Sequence, residues 1–199
     1  MNTIICFGDS LVSGYGLRKG EGWCELLQRD KAIAKNYIIL NKGVPGDTTT
    51  GLLSRSYKDV LELKPQIVII LIGTNDLLLG RSVDVVFENL TFVLSELLIH
   101  NIEPILLSPP GIVMEMTEEN FGSSQIYSTV NKKIELLIEK LKKYSSDNKI
   151  GFIDLYDFFH NVVNMDNFTT FRDLYIDGIH LNSLGNIVMA SKIEEILKV

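Results

Sequence analysis

The segment QIVIILIGTND (66–76) decides the fold class, because it joins an uninterrupted aliphatic run to a polar turn. Its aliphatic residues, 67–72, show none of the polar–apolar alternation of a half-exposed strand. Such a run is typical of a parallel strand that helices cover on both faces. The run ends in GTND (73–76), so this segment also brings polar side chains to the carboxyl end of its strand.

On either side of this segment, strand-like runs alternate with helical patterns. The helices are indicated by apolar residues that recur every three to four positions. Alternation repeated about five times predicts a doubly wound α/β domain with right-handed crossovers and a mostly parallel sheet of about five strands. The predicted strands are 3–7, 37–40, 67–72, 105–107 and 150–155, and the predicted helices are 22–35, 83–99, 127–144 and 184–197.

Composition and charge limit the classes of function. The 199 residues fit one domain, 1–199, without an internal repeat or linker. A net charge of −6 argues against a nucleic-acid partner, which would require a basic face. The longest aliphatic stretch is far too short to span a membrane. The chain enters its first predicted strand without a secretory signal, so a cytoplasmic location is expected. Cys6 and Cys24 are expected to be buried free thiols. Oligomeric state is not predicted.

Polar and glycine residues follow the first four predicted strands. In chain order these motifs are GDS (8–10), NKGVPGDT (41–48), GTND (73–76) and SPPG (108–111). In open α/β sheets, ligands bind at the carboxyl ends of the strands. We therefore expect one active site at this edge of the sheet.

The first of these motifs lies within ICFGDSLVSGYG (5–16), which allows three interpretations. A phosphate-binding loop is disfavoured, because the glycines match neither the dinucleotide-binding nor the P-loop spacing. An acidic pocket for a metal or a phosphoryl group would need Asp9 to converge with Asp76 and Asp177. In the third interpretation, Ser10 is a nucleophile that a sharp strand-to-helix turn presents to substrate.

A serine nucleophile needs a base, and the chain has three histidines. His100 ends a predicted helix, where it is expected to contact the last carbonyls, and His160 is expected to have a packing or surface role. His180 follows Asp177 by three residues, and Gly178 permits a tight turn between them. The carboxylate can then hold the imidazole Nδ1–H and leave Nε2 free to take the serine proton. Capping of the last helix is the alternative role for this pair.

Acyl transfer also requires hydrogen-bond donors for the developing oxyanion. The candidates are the backbone N–H groups of Ser10 and Gly46 and the side-chain amide of Asn75. Gly46 and Asn75 are also ordinary turn residues, so each is weak alone. Their convergence favours a serine ester hydrolase over a metal-dependent phosphoesterase or a catalytically silent binding domain.

Four motifs in register resemble the SGNH (GDSL-type) hydrolase family and span nearly the whole chain. They are GDSL (8–11), NKGVPGDT (41–48), GTND (73–76) and DGIH (177–180). The resemblance implies a flavodoxin-like three-layer α/β/α fold, and hydrolysis of a small acyl ester without metal or cofactor. Within the family, the chain is most similar to compact bacterial esterases of the lysophospholipase and acyl-CoA thioesterase type.

The same resemblance assigns roles to individual residues. Ser10 is the implied nucleophile, His180 the general base and Asp177 its orienting partner. The implied oxyanion hole consists of the N–H groups of Ser10 and Gly46 and the amide of Asn75.

Three other residues of these motifs bear on how rigid the site is. Asp9 and Asp76 are expected to have supporting roles, with Asp9 bracing the turn that presents Ser10. The family often has a proline after its histidine, where this chain has Leu181. The missing proline leaves the rigidity of that turn open.

Two irregular stretches, 109–124 and 160–176, are expected to be loops that shape an acyl pocket. Ordinary packing is the alternative role for their apolar side chains. The substrate is left open among short esters, thioesters, lysophospholipids and, as a second candidate, O-acetylated carbohydrates. The candidate pocket residues are Ile112, Val113, Met114, Met116, Phe168, Phe171 and Tyr175.

Overall fold

The computed structural model describes residues 2–165 and 170–198. Five parallel strands form one sheet in the order β2-β1-β3-β4-β5, which is the flavodoxin-like order. The predicted fold class is therefore confirmed. The strands are β1 (Asn2–Gly8), β2 (Tyr37–Gly43), β3 (Ile67–Leu71), β4 (Glu103–Leu107) and β5 (Gly151–Ile153).

Helices cover both faces of this sheet. The helices of the described part are α1 (Ser10–Ser13), α2 (Trp23–Arg29), α3 (Lys31–Asn36), α4 (Thr49–Asp59), α5 (Thr74–Leu78), α6 (Val83–Ile99), α7 (Met114–Phe121), α8 (Tyr127–Asn148), α9 (Leu155–Met165) and α10 (Ser183–Leu197). Short 3-10 turns occur at Leu61–Leu63 and Phe171–Leu174.

The lack of alternation in the strands results from two hydrophobic cores, one on each face of the sheet. In β1, Ile4 and Cys6 belong to one core, whereas Ile5 and Phe7 belong to the other. Helices α2, α3, α9 and α10 contribute to the first core, and α4, α6 and α8 contribute to the second. Because both strand faces are removed from water, every position in β3 is apolar.

Apart from shifts of a few residues at element ends, the structure differs from the prediction in three places. The predicted helix 22–35 is two helices, because Asp30 ends α2 and its side chain then accepts hydrogen bonds from the first N–H groups of α3. The predicted strand 150–155 ends at Ile153, and α9 begins at Leu155. The two stretches predicted as loops are partly helical: α7 lies inside 109–124, and α9 extends to Met165.

Expectations for the cysteines, for membrane-spanning segments and for His100 can be compared with the structure. Cys6 and Cys24 are buried free thiols, as predicted. None of the helices in the described part is both long and apolar enough to cross a membrane. His100 Nδ1 lies 2.8 Å from the Glu96 carbonyl at the end of α6, in the predicted helix-end contact.

Candidate active site

The turn that carries Ser10 begins where β1 ends, at Gly8. A Cβ at Gly8 would lie 1.9 Å from the Leu71 carbonyl oxygen of β3, so only glycine fits there. Asp9 caps α1, since its Oδ1 accepts a 2.9 Å hydrogen bond from the Leu11 N–H. Ser10, the first residue of α1, is therefore held at the carboxyl edge of the sheet, with 6% of its surface exposed.

Ser10, His180 and Asp177 form a continuous chain of contacts. Ser10 Oγ lies 2.9 Å from His180 Nε2, and His180 Nδ1 lies 2.7 Å from Asp177 Oδ2. The other carboxylate oxygen of Asp177 accepts hydrogen bonds from the N–H groups of Ile179 and His180, at 2.9 and 2.8 Å. With the imidazole proton on Nδ1, Nε2 is free to accept the serine proton.

Asp177 is held as a carboxylate. Burial opposes ionisation, but hydrogen bonds from the His180 N–H, the His180 imidazole and the Ile179 N–H offset it and keep the Asp177 pKa below its usual 3.8. A charged Asp177 both fixes the tautomer of His180 and stabilises the imidazolium that proton transfer creates.

Gly178 is required for the turn that joins this pair. Its φ is +92°, and a Cβ there would lie 2.6 Å from both the Thr117 N and the Val113 carbonyl oxygen of the α7 region. In the other direction, the Val113 N–H donates a 2.8 Å hydrogen bond to the Gly178 carbonyl. The stretch around α7 therefore packs directly on the turn that carries the candidate base.

Leu181 stands where the family often has proline, yet the turn is braced by other contacts. The Ile176 N–H donates a 2.7 Å hydrogen bond to the His180 carbonyl, and Tyr175 and Leu181 form an antiparallel bridge. The Leu181 side chain is buried in the first core. Backbone pairing and burial thus hold this segment where a proline would restrict it.

Tyr15 is a neighbour of the base that the sequence motifs did not single out. Its ring centroid lies 4.5 Å from that of His180 at a 40° tilt, and 53% of its surface is exposed. An aromatic ring five residues after the candidate nucleophile, between Gly14 and Gly16, was the available sequence signal.

The candidate oxyanion donors lie on adjoining turns. The Asn75 amide donates a 2.8 Å hydrogen bond to the Asp47 carbonyl and lies 3.5 Å from Asp9 Oδ2. Asn75 therefore contacts the residue beside Ser10 and the residue beside Gly46. Gly46 has a φ of +78°, and no atom lies within 4 Å of the place where its Cβ would be. The backbone at Gly46 consequently borders open space that a ligand can approach.

Asp76 anchors the start of α4. Its fully buried carboxylate accepts hydrogen bonds from the Thr49 N–H at 2.9 Å and the Thr49 hydroxyl at 2.8 Å. Arg81 Nη1 pairs with the same carboxylate at 2.7 Å. Because Thr49 directly follows Asp47 and Thr48, this network fixes the end of the turn that contains Gly46.

The carboxyl group of Asp9 has a raised pKa. Complete burial is the main cause, repulsion from Asp47 and Asp76 adds to it, and the hydrogen bond from the Leu11 N–H counteracts it. Together they raise the pKa of Asp9 to about 7.

The three aspartates considered for an acidic pocket, Asp9, Asp76 and Asp177, each have separate partners. Within residues 2–165 and 170–198, no three His, Cys, Asp or Glu side chains are grouped so that they could hold a metal ion.

Residues of the two predicted pocket stretches meet at a cavity of about 300 Å³. Three aromatic rings contact one another along it. The Tyr156 and His160 centroids lie 4.4 Å apart at a 40° tilt, and the His160 and Phe171 centroids lie 4.7 Å apart, edge to face. Met116 is instead buried in the core, and Phe168 lies outside the described residues. Neither Ser10 nor His180 lines this cavity. The predicted pocket residues that do line it are Ile112, Val113, Met114, Phe171 and Tyr175.

The model of the GDSL-like lipase/acylhydrolase family matches residues 6–187. The chain belongs to this family. That range contains all four motifs and every candidate residue described above, so the GDSL-like assignment covers both the fold and the site.

Three comparisons place the chain among known proteins. It is 36% identical over 89 residues to the esterase TesA of Pseudomonas aeruginosa, a match covering 44% of each chain. It is 30% identical over 135 residues to thioesterase 1/protease 1/lysophospholipase L1 of Escherichia coli, covering 68% of this chain and 64% of that protein. These matches thus span about half to two thirds of the relatives' lengths. The structure of the acetyl xylan esterase AlAXEase superposes with a TM-score of 0.80 and 26% identity, over 98% of both chains.

Proposed function

We propose that this GDSL-family chain is a serine hydrolase that cleaves carboxylic esters or thioesters through an acyl-enzyme intermediate. The observation that carries the proposal is the unbroken chain of contacts from Asp177 through His180 to Ser10 Oγ. Each neighbouring pair in this chain is within hydrogen-bond distance, which nucleophilic activation of a serine requires.

In the proposed reaction, Ser10 Oγ attacks the acyl carbonyl while its proton passes to His180 Nε2. The tetrahedral intermediate collapses, the bond to the leaving group breaks, and the imidazolium gives its proton to the departing oxygen or sulfur. Water then attacks the acyl-serine while His180 Nε2 takes its proton. The second tetrahedral intermediate collapses, the bond from the acyl carbon to Ser10 Oγ breaks, and the imidazolium returns the proton to Oγ, so that the acid and free Ser10 result.

We further propose that the N–H groups of Ser10 and Gly46 and the amide of Asn75 stabilise the oxyanion. Support comes from the contacts of Asn75 with Asp9 and Asp47, the neighbours of the other two donors. The open space at Gly46 supports the same role, because a tetrahedral oxyanion must approach the backbone closely there.

The cavity beside the site supports an acyl group or leaving group with an apolar part. Its lining includes Val113 and Met114 together with the edge-to-face rings of His160 and Phe171. Since Val113 also pairs with Gly178, the cavity wall adjoins the turn that carries His180.

Removal of acetyl groups from carbohydrates is the second candidate, on the same residues. The observation in its favour is the match to AlAXEase over nearly the full length of both chains. That protein is an acetyl xylan esterase, and aromatic rings such as those of the cavity can pack on sugar faces.

The decisive experiment compares wild type and Ser10→Ala on p-nitrophenyl acetate and butyrate, with and without EDTA. We expect wild-type hydrolysis that resists EDTA and is abolished in Ser10→Ala. Ser54→Ala is the control, because that hydroxyl bonds only the Gly51 carbonyl within α4. Activity that EDTA removes and Ser10→Ala spares would point to a metal-dependent reaction, and a wild type silent on every ester would favour a binding domain.

Substrate class is resolved by a second series with the same two proteins. Acyl esters and thioesters of increasing chain length are compared with an acetylated xylooligosaccharide, each at matched concentration. A maximum at two carbons together with acetate release from the sugar favours the deacetylase. A maximum at longer chains favours the lipase-like activity.

We also propose that 1–199 forms one domain, supported by a single continuous sheet and by a family match from 6 to 187. The proposed partner is a small acyl ester, and the acidic net charge of −6 supports the absence of a nucleic-acid role. The cytoplasmic location stays a prediction, which cell fractionation tests.

A further inference from the structure

Arg55 of α4 lies outside all four family motifs, yet its guanidinium bonds to the ends of two strands. Nη2 donates to the Gly8 carbonyl at 2.8 Å, and Nη1 donates to the Lys42 carbonyl at 2.9 Å. Nε donates to Asp47 Oδ2 at 2.7 Å. Three separate segments, β1, β2 and the turn containing Gly46, thus meet at one side chain.

The surroundings of Arg55 hold the guanidinium in one orientation. Its plane lies over the Phe7 ring, 4.4 Å from the centroid, and Asp59 Oδ2 accepts from Nη1 at 3.0 Å. Burial would raise the pKa of Asp59, but the hydrogen bonds from Arg55 and Lys42 keep it below its usual value. Only 17% of the Arg55 side chain is exposed, so these bonds are largely screened from water.

The positions of the three acceptors connect Arg55 to the proposed oxyanion donors. Gly8 precedes the turn that presents Ser10, and Asp47 follows Gly46 directly. The carbonyl of Asp47 is also the acceptor for the Asn75 amide. A shift of Asp47 relative to Gly8 would therefore move the Gly46 N–H and the Asn75 amide relative to the Ser10 N–H.

We propose that Arg55 is a positioning residue that sets the distance between the Ser10 turn and the Gly46 turn and so aligns the oxyanion donors. The inference rests on the proposed function. Arginine is specifically required, because a planar fork with five N–H groups reaches all four acceptors, whereas a lysine ammonium with three donors does not.

The test measures kcat and KM separately for wild type, Arg55→Ala, Arg55→Lys and the control Ser54→Ala, on the same helix. In Arg55→Ala we expect kcat to fall about 10- to 100-fold with KM within about 3-fold, because misplaced donors weaken transition-state binding. Arg55→Lys recovers only part of this loss, and Ser54→Ala, whose hydroxyl donates to the Gly51 carbonyl within α4, stays within about 3-fold of wild type. Added methylguanidinium restores part of kcat to Arg55→Ala and none to wild type.

A purely structural role gives a different pattern. Arg55→Ala with wild-type kcat in the folded fraction and a lowered Tm overturns the inference. The acid limb of the pH–rate profile should be unchanged, because no described contact joins Arg55 to His180 or Asp177.

Hydrogen exchange separates failure of this inference from failure of the proposed function. In Arg55→Ala the amides of Gly46, Asp47 and Ser10 should exchange faster, while those of Ile179 and His180 should not. Exchange can be measured even if the wild type cleaves no ester. A wild type without esterase activity would contradict the proposed function but not the positioning role. Unchanged exchange at Gly46 and Asp47 contradicts the positioning role.

Discussion

Asn75 donates one amide N–H to the Asp47 carbonyl, at 2.8 Å, and the same nitrogen lies 3.5 Å from Asp9 Oδ2. The first contact is a full hydrogen bond, and the second is too long to be a strong one. The amide is therefore oriented by Asp47 and has a second N–H that the proposed oxyanion role would use. In the absence of substrate, the partner of this second N–H is the distant Asp9 Oδ2, so the N–H is only weakly hydrogen-bonded.

Replacement of Asn75 by alanine should therefore act on the transition state. We expect kcat for p-nitrophenyl butyrate to fall about 10²- to 10³-fold with little change in KM, as for other oxyanion donors. Asn120→Ala is the control, since that amide bonds only the Met116 carbonyl within α7. A rise in KM at unchanged kcat would show that Asn75 binds substrate and transition state equally.

Gly46→Ala tests whether the open space beside this residue belongs to the substrate. The added methyl group meets no protein atom within 4 Å, so the folded state bears only the strain of positive φ, about 1–2 kcal/mol. Catalytic efficiency should nevertheless fall at least about 10-fold, because the methyl group occupies the approach to the backbone N–H. Gly122→Ala, also at positive φ in open space, should lose stability and keep activity. Equal activity in both variants would remove Gly46 from the site.

Gly178→Ala combines positive φ with steric overlap. The new Cβ would lie 2.6 Å from backbone atoms of Val113 and Thr117, so the turn and α7 must move apart. We expect a loss on the order of 2–4 kcal/mol in the free energy of unfolding, measured by urea titration, together with reduced activity. A stability loss no larger than that of Gly122→Ala would mean that the contact yields easily.

The pH–rate profile should have a one-proton acid limb. Activity falls as protonation of His180 removes the base, and Asp177 adds no second step near neutrality because its pKa is held below 3.8. Asp177→Asn should lower kcat by about 10³- to 10⁴-fold, since an amide does not stabilise the imidazolium. Asp9, with a pKa of about 7, is the other group that titrates in this range. A two-proton slope between pH 5 and pH 7 that persists in Asp9→Asn would therefore contradict the assignment.

The raised pKa of Asp9 predicts that the protein becomes less stable as pH increases. Its pKa rises from 3.8 to about 7 on folding, so between these pH values the folded state binds a proton that the unfolded state has released. The stabilising contribution is complete below pH 3.8 and is lost as pH rises through 7, at up to about 1.4 kcal/mol per pH unit. Asp9→Asn should flatten this decline relative to wild type in urea titrations at pH 5, 6, 7 and 8. Parallel curves would show that Asp9 is ionised throughout.

The parts predicted best from the sequence are those with a local physical cause. The aliphatic run in β3 implied burial on both faces. Gly8 and Gly178 marked turns where a Cβ would overlap backbone atoms, and Gly46 marked a turn at positive φ. The DGIH spacing likewise placed Asp177 next to His180, where their contact is found.

Other features depend on packing between distant segments and left little trace in the sequence. Helix α4 buries only Thr49 and Leu52, so it lacks the apolar period that predicts a helix. The four hydrogen bonds of Arg55 reach three other segments, which no spacing along the chain encodes. Helix α7 was not predicted from the sequence. It buries only Met116 and Thr117, so it too lacks a clear apolar period.

The separation of 170 positions between Ser10 and His180 has a consequence for synthesis. A growing chain carries its candidate nucleophile well before it carries the imidazole proposed to activate it. Until the DGIH turn has emerged and docked, Ser10 lacks this base. Under the proposed function, hydrolytic competence is therefore gained in one step, when that turn reaches the edge of the sheet.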